Sequence, residues 1–176
     1  MRMEKVLLYQ MDSLYRDSFK IYGYHFGGNE KTVCIVGAIR GNEIQQLYMC
    51  SNLIKTLKLL EERRCLDENL GIMIVPSVNP YSLNTSTRFW ATDNTDINRM
   101  FPGYDLGETT QRIADGFFQK VKDYTYGIHF TSFYLEGNFT PHVRIMKTGY
   151  ENVEVAKEFG QGVCCLLYTS DAADDK

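Results

Sequence analysis

No stretch of this chain approaches the roughly 20 consecutive apolar residues that a membrane-spanning helix requires. The opening residues, Met1–Asp17, hold only a short apolar core interrupted by polar side chains, which is not the pattern of a secretory signal. No CxxC pair occurs among the five cysteines, Cys34, Cys50, Cys65, Cys164 and Cys165. An odd number without pairwise spacing argues against a disulfide framework and for a reducing, cytoplasmic setting. Positive charge is not in excess either. Lys+Arg 19 against Asp+Glu 22 leaves a net charge of −3, and nonspecific nucleic-acid binding needs clustered basic residues instead. Apolar content is ample: 44% hydrophobic and 23% charged residues over 176 positions suit one globular domain and exclude disorder for most of the chain.

The order of elements is readable from periodicity. Two extended runs, Lys5–Tyr9 and Phe19–His25, open the chain, the second ending in the turn signal Gly27-Gly28-Asn29. Thr32–Ala38 is a continuous β-branched and apolar run, as in a strand buried on both faces. A helical pattern follows from Glu43 to about Arg64, with Ile44, Leu47, Tyr48, Leu53, Ile54, Leu57 and Leu60 on one broad apolar face. Gly71–Val75 is a second buried strand. Strand, helix, strand makes a βαβ unit and hence a parallel sheet with a right-handed crossover. Thr109–Lys122 predicts a further helix, and Tyr126–Phe130, Val143–Met146 and Gly162–Tyr168 further strands, with a short helix over Asn152–Phe159. Between them, Pro76–Glu108 is long, aromatic and aperiodic, which marks an ordered functional loop.

Ligands in such sheets bind beyond the carboxyl ends of the parallel strands, and three constellations fall there. Gly37-Ala38-Ile39-Arg40-Gly41-Asn42-Glu43 leads from a strand into a helix, where Glu43 also suits the helix dipole. The long loop carries Asn79-Pro80, then Arg88, then Asp96-Ile97-Asn98-Arg99-Met100-Phe101-Pro102-Gly103. Arginine forks and an asparagine amide there suit a carboxylate, with Asp96 as a partner that orients Arg99. Gly127-Ile128-His129 closes a third core strand. Ser132 and Thr131 follow it, but no G-x-S-x-G elbow surrounds them, so serine-hydrolase chemistry is discounted.

Together the three constellations resemble the succinylglutamate desuccinylase/aspartoacylase family of zinc-dependent, carboxypeptidase-like hydrolases. GAIRGNE stands where that family has roughly G-x-H-G-N-E, and Asp96–Gly103 nearly completes its D-x-N-R-x-F-P-G motif. Gly127-Ile128-His129 stands for its D-L-H strand end, and the likeness runs from about Thr32 to Met146. The resemblance implies an α/β fold with a mostly parallel mixed sheet and helices on both faces. It implies a catalytic zinc on two histidines and a glutamate, with a downstream glutamate as general base. Carried over by position, Glu43 and His129 are metal ligands, Asn98 and Arg99 bind a small substrate's carboxylate, and Arg88 polarises the scissile carbonyl or shares that carboxylate. Two positions depart from the pattern. Arg40 replaces the first metal histidine, and a guanidinium does not ligate zinc; Gly127 replaces an aspartate beside the histidine.

Three functional expectations follow. The first is a zinc hydrolase cleaving an amide or ester bond of a small carboxylate such as an N-acyl amino acid. The second is a metal-free carboxylate-binding protein, with Arg40 as substrate-binding cation in place of a ligand histidine. The third is an inactive fragment. Leu166–Lys176 resembles a translated adapter tail, so residues 1–165 are expected to be a truncated catalytic domain and 166–176 non-native.

Overall fold

The computed structural model describes residues 3–13, 17–132, 137–146 and 149–166. The chain divides into two compact units, Met1–Ser132 and Phe133–Lys176. The tail expected to be non-native lies, beyond Leu166, outside the described residues.

The first unit is built on a five-stranded sheet. Its strands are β1 (Glu4–Met11), β2 (Phe19–Gly27), β3 (Val33–Ala38), β4 (Gly71–Ser77) and β5 (Tyr126–His129), in the spatial order β1-β2-β4-β3-β5. β3 pairs in parallel with both β4 and β5. The hairpin β1–β2 adds antiparallel strands against β4. The sheet is therefore mixed, and its parallel part is the βαβ unit expected from the sequence. Helices cover both faces, as expected: α1 (Ile44–Glu62) on one and α3 (Thr109–Val121) on the other.

Strand alternation sorts the core into two layers. Leu8, Phe19, Ile21, Cys34, Val36, Met73 and Val75 pack with Ile113 and Phe117 of α3. Phe26, Ile74 and the half-buried Ile35 and Ile72 pack with Cys50 and Leu57 of α1. Phe26, Ile21 and Ile74 are fully buried, each worth about 1.5–3 kcal/mol. Burial pushes the Cys34 thiol up to about 12 and the Cys50 thiol up to about 11, so both behave as inert apolar groups. The buried stripe of α1 is narrower than its apolar pattern suggests. Gln46, Cys50 and Leu57 are buried, whereas Ile44 and Tyr48 stand exposed on the outer side.

The long loop after β4 is ordered by its own apolar residues. Trp90 is buried against Phe19, at 5.3 Å between ring centres, and stacks on Tyr81 at 5.6 Å. Val78 and Ile97 join the same core layer. Within the loop, α2 (Pro80–Leu83) is capped by Asn79, whose Oδ1 accepts from the Ser82 amide at 3.1 Å. A 3-10 turn, Ile97–Arg99, is capped by Asp96. Gly41 lets this loop close on the turn after β3: a Cβ there would lie 2.2 Å from the Ser82 carbonyl and 2.3 Å from that of Thr87.

The second unit holds a parallel pair, β6 (His142–Met146) and β7 (Gly162–Leu166), joined by α4 (Val153–Lys157). Among the described residues no helix is long and apolar enough to cross a membrane.

The contact at Gly41 yields a stability prediction. Gly41→Ala forces backbone apart and costs about 1–3 kcal/mol in urea denaturation. An unchanged midpoint contradicts the close approach.

Candidate functional site

The turn after β3, Arg88 of the long loop and the cap of the 3-10 turn bring four charged side chains together at the carboxyl end of the sheet. Glu43 lies at the mouth of α1 and is fully buried. Its Oε2 accepts from the backbone amides of Ile39 and Arg40, both at 3.0 Å. Its Oε1 accepts from Thr131 Oγ1 at 2.9 Å, Arg40 NH1 at 3.4 Å and, at the limit, the Ser132 amide at 3.5 Å. A carboxylate removed from water costs several kcal/mol unless it is paired and hydrogen-bonded. These donors meet that cost.

Arg40 turns the other edge of its fork to Asp96. Its Nε donates to Oδ2 at 2.9 Å and Oδ1 at 3.1 Å. Asp96 is itself buried, and it holds a second guanidinium: Arg88 donates to Oδ2 from NH2 at 3.0 Å and from Nε at 3.2 Å. The Asn98 amide supplies another donor to Oδ1 at 3.1 Å. Arg99 stands at the rim, 72% exposed, with Nε 3.9 Å from Asp96. The Asp96–Arg99 pairing expected from the sequence is thus the outermost and longest of three. The inner two, to Arg40 and Arg88, are the short hydrogen-bonded ones.

His129 ends β5, paired in register with Val36 of β3. Burial is the main cause that holds its pKa below the ordinary 6.5, and the Arg40 charge adds to it. Glu43 and a hydrogen bond to the Gly37 backbone act in the opposite direction. The imidazole is therefore neutral near pH 7. Its Nε2 is buried and has no hydrogen-bond partner among the described residues.

The structure thus brings Arg40, Glu43 and Arg88 into one network, with Asn98 contributing its backbone. His129 sits within electrostatic reach of Glu43 and Arg40. Thr131, Ser132 and Gln46 were not singled out as partners of this site. Gln46, oriented to satisfy both ends of its amide, donates to the Glu43 carbonyl at 3.2 Å and accepts from the Ser132 amide at 3.3 Å. A signal existed: Gln46 follows Glu43 by three positions in a helix, and Thr131-Ser132 leave a parallel strand at its carboxyl end.

These residues do not fit a zinc ion. Every oxygen of Glu43 is already engaged by donors, one of them the Arg40 guanidinium. Like charges repel by about 4 kcal/mol per pair of unit charges at ~4 Å in an effective dielectric of ~20, so a dication beside Arg40 meets a large penalty. One glutamate and one histidine fall short of the three protein ligands of a catalytic zinc. Among the described residues no group of three or more His, Cys, Asp or Glu side chains is placed to hold a metal.

The family model for the succinylglutamate desuccinylase/aspartoacylase catalytic domain matches residues 29–174. No curated protein gave a significant match. Among solved structures, an aspartoacylase family protein from Mesorhizobium loti is 21% identical with a TM-score of 0.78, covering 96% of this chain and 55% of its own. A succinylglutamate desuccinylase from Silicibacter sp. is 21% identical with a TM-score of 0.62, covering 93% of this chain and 58% of its own. A product-bound ectoine utilization protein from Ruegeria pomeroyi is 22% identical with a TM-score of 0.57, covering 73% of this chain and 40% of its own. The chain therefore spans about half the length of these structures.

The environment of His129 yields a pH prediction. With its folded pKa below 6.5, the neutral imidazole contributes stability that is present above the unfolded pKa and is lost as pH falls toward the folded one. The melting temperature of the protein should drop between pH 7.5 and 5.5, and His129→Gln should flatten that drop. Parallel profiles for the two proteins contradict the assignment.

Proposed function

The chain belongs to the succinylglutamate desuccinylase/aspartoacylase family, and on that premise we propose that it recognises a small carboxylate-bearing acyl amino acid. Hydrolysis of an amide or ester bond in that substrate is the proposed reaction of the whole protein. The observation that carries the reading is the gathering of three arginines within 4 Å of one buried carboxylate, at 2.9, 3.0 and 3.9 Å. Arg99 stands 72% exposed with its Nε 3.9 Å from Asp96, its one ion pair among the described residues, and a guanidinium so placed suits an anion.

The proposed roles follow from where each side chain stands in the network. Arg99 is the most exposed of the three and binds the substrate carboxylate, with the side chain of Asn98 as the proposed second donor, its backbone N–H being held by Asp96. Arg88, set by its two bonds to Asp96, faces the scissile carbonyl as its polarising charge. Arg40 contributes positive charge from the inner end of the network. The neutral Nε2 of His129, buried and without a partner among the described residues, is an acceptor for the O–H of a single water. The general base is not among the residues given roles here. Buried, unpaired thiols at Cys34 and Cys50 support a reducing compartment, and we place the reaction in the cytoplasm.

Calorimetry on the full-length protein tests the reading, with succinate and N-acetyl amino acids as ligands. Binding should weaken with rising salt. Arg99→Ala should lower affinity at least tenfold, about 1.4 kcal/mol. No binding by any of these carboxylates, as expected of a chain without function of its own, contradicts it, as does an Arg99→Ala protein of unchanged affinity.

A further inference from the structure

The Arg40 side chain sits between two buried carboxylates, and its bonds are specific. Nε chelates both oxygens of Asp96, and NH1 reaches Glu43 Oε1 and Thr131 Oγ1, the latter at 3.3 Å. The side chain is only 14% exposed, yet no hydrogen bond from its NH2 is found among the described residues. The guanidinium is thus fixed on two edges, and among the described residues its remaining donor edge is unused. Within electrostatic reach of it lies the Nε2 of neutral His129, buried and without a hydrogen-bond partner among the described residues. A donor edge carrying a permanent charge and a buried imidazole lone pair thus act on one another electrostatically at the same strand ends.

A metal ion bound by Glu43 and His129 would require the same space and the same oxygens. Arg40 already neutralises Glu43, and the Ile39, Arg40 and Thr131 donors fill the remaining lone-pair positions. A guanidinium does for an anion what a Lewis-acidic cation does electrostatically, and it does so at any metal concentration and without a titration near neutral pH.

We propose that in this chain the Arg40 guanidinium stands in the place of a divalent metal as the site's permanent cation, so that carboxylate binding there is independent of metal. The proposal rests on the carboxylate-recognition reading above and specifies its chemistry. It assigns to Asp96 a positioning role: it holds the Arg40 fork through Nε, with NH2 left without a bond among the described residues.

The test uses the full-length protein and two probes, zinc and succinate. Purified without chelator, and after zinc addition and desalting, the wild-type protein should carry far less than one zinc per chain. Succinate affinity should be the same with and without a chelator. Arg40→Gln should weaken succinate at least tenfold, while Arg40→Lys retains part of the affinity. Circular dichroism establishes that each variant is folded. Arg40→His should gain zinc, near one per chain, lost again on a second change, His129→Asn.

Stoichiometric zinc in the wild-type protein, removed by His129→Asn, overturns the proposal. So does succinate binding that a chelator abolishes, or an Arg40→His protein that is folded and takes up no zinc. If no carboxylate binds under any condition, the recognition reading fails by itself. The zinc measurements still decide whether Arg40 has displaced a metal.

Discussion

A carboxylate with almost no access to water, held between two guanidinium groups, is the constraint on which the site depends. Asp96 is 4% exposed, and a charge in that position is tolerated only when it is paired and its lone pairs are used. Arg40 and Arg88 meet both needs from opposite sides, one from the turn after β3 and one from the long loop. The ion pairs therefore do more than neutralise. They tie the loop to the strand end, and they fix the direction in which each fork points. Glu43 repeats the arrangement one step inward, with backbone amides and Thr131 in place of a second arginine. The outcome is an alternation of negative and positive groups, Glu43, Arg40, Asp96, Arg88, each balanced by its neighbours.

The fold supplies the positions that this alternation needs. Parallel strands β3, β4 and β5 end at the same edge of the sheet, so the residues following Ala38, Ser77 and His129 converge there. The long loop reaches that edge because Trp90, Val78 and Ile97 are buried in the core layer shared with Phe19 and Ile113. Gly41 allows its backbone to close upon the strand–helix turn. Apolar burial places the segments, and the buried charges then select one arrangement of them. Removing a partner from such a network costs more than the pair contributes, since the remaining charge is left dehydrated.

Much of this was legible in the sequence. The uninterrupted apolar runs at residues 33–38 and 71–75 marked the buried strands, because a strand covered on both faces has no reason to alternate. Length, aromatic content and aperiodicity marked the loop at residues 76–108, and motif spacing marked its charged cluster. Partner choice was not legible. Asp96 is three residues from Arg99, and local spacing suggested that pair, but Arg99 lies in solvent and gains little from it. Arg40 is 56 residues away in sequence and bonds Asp96 on two oxygens, a contact that exists only after the sheet and loop have assembled. The same holds for Thr131 and Glu43, which no local pattern links. The exposed Ile44 and Tyr48 of α1 show the converse: apolar spacing marks which residues suit burial, while the neighbouring elements determine which are covered.

The measurement that bears most directly on this account is a double-mutant cycle between Arg40 and Asp96, read by urea denaturation of the full-length protein. Arg40→Met and Asp96→Asn are each expected to cost about 3 kcal/mol, because each strands a buried partner. The double variant should cost clearly less than the sum, with a coupling of at least about 1.5 kcal/mol. Additivity within about 0.5 kcal/mol would show that the two groups do not support one another, and the account of the site would be wrong.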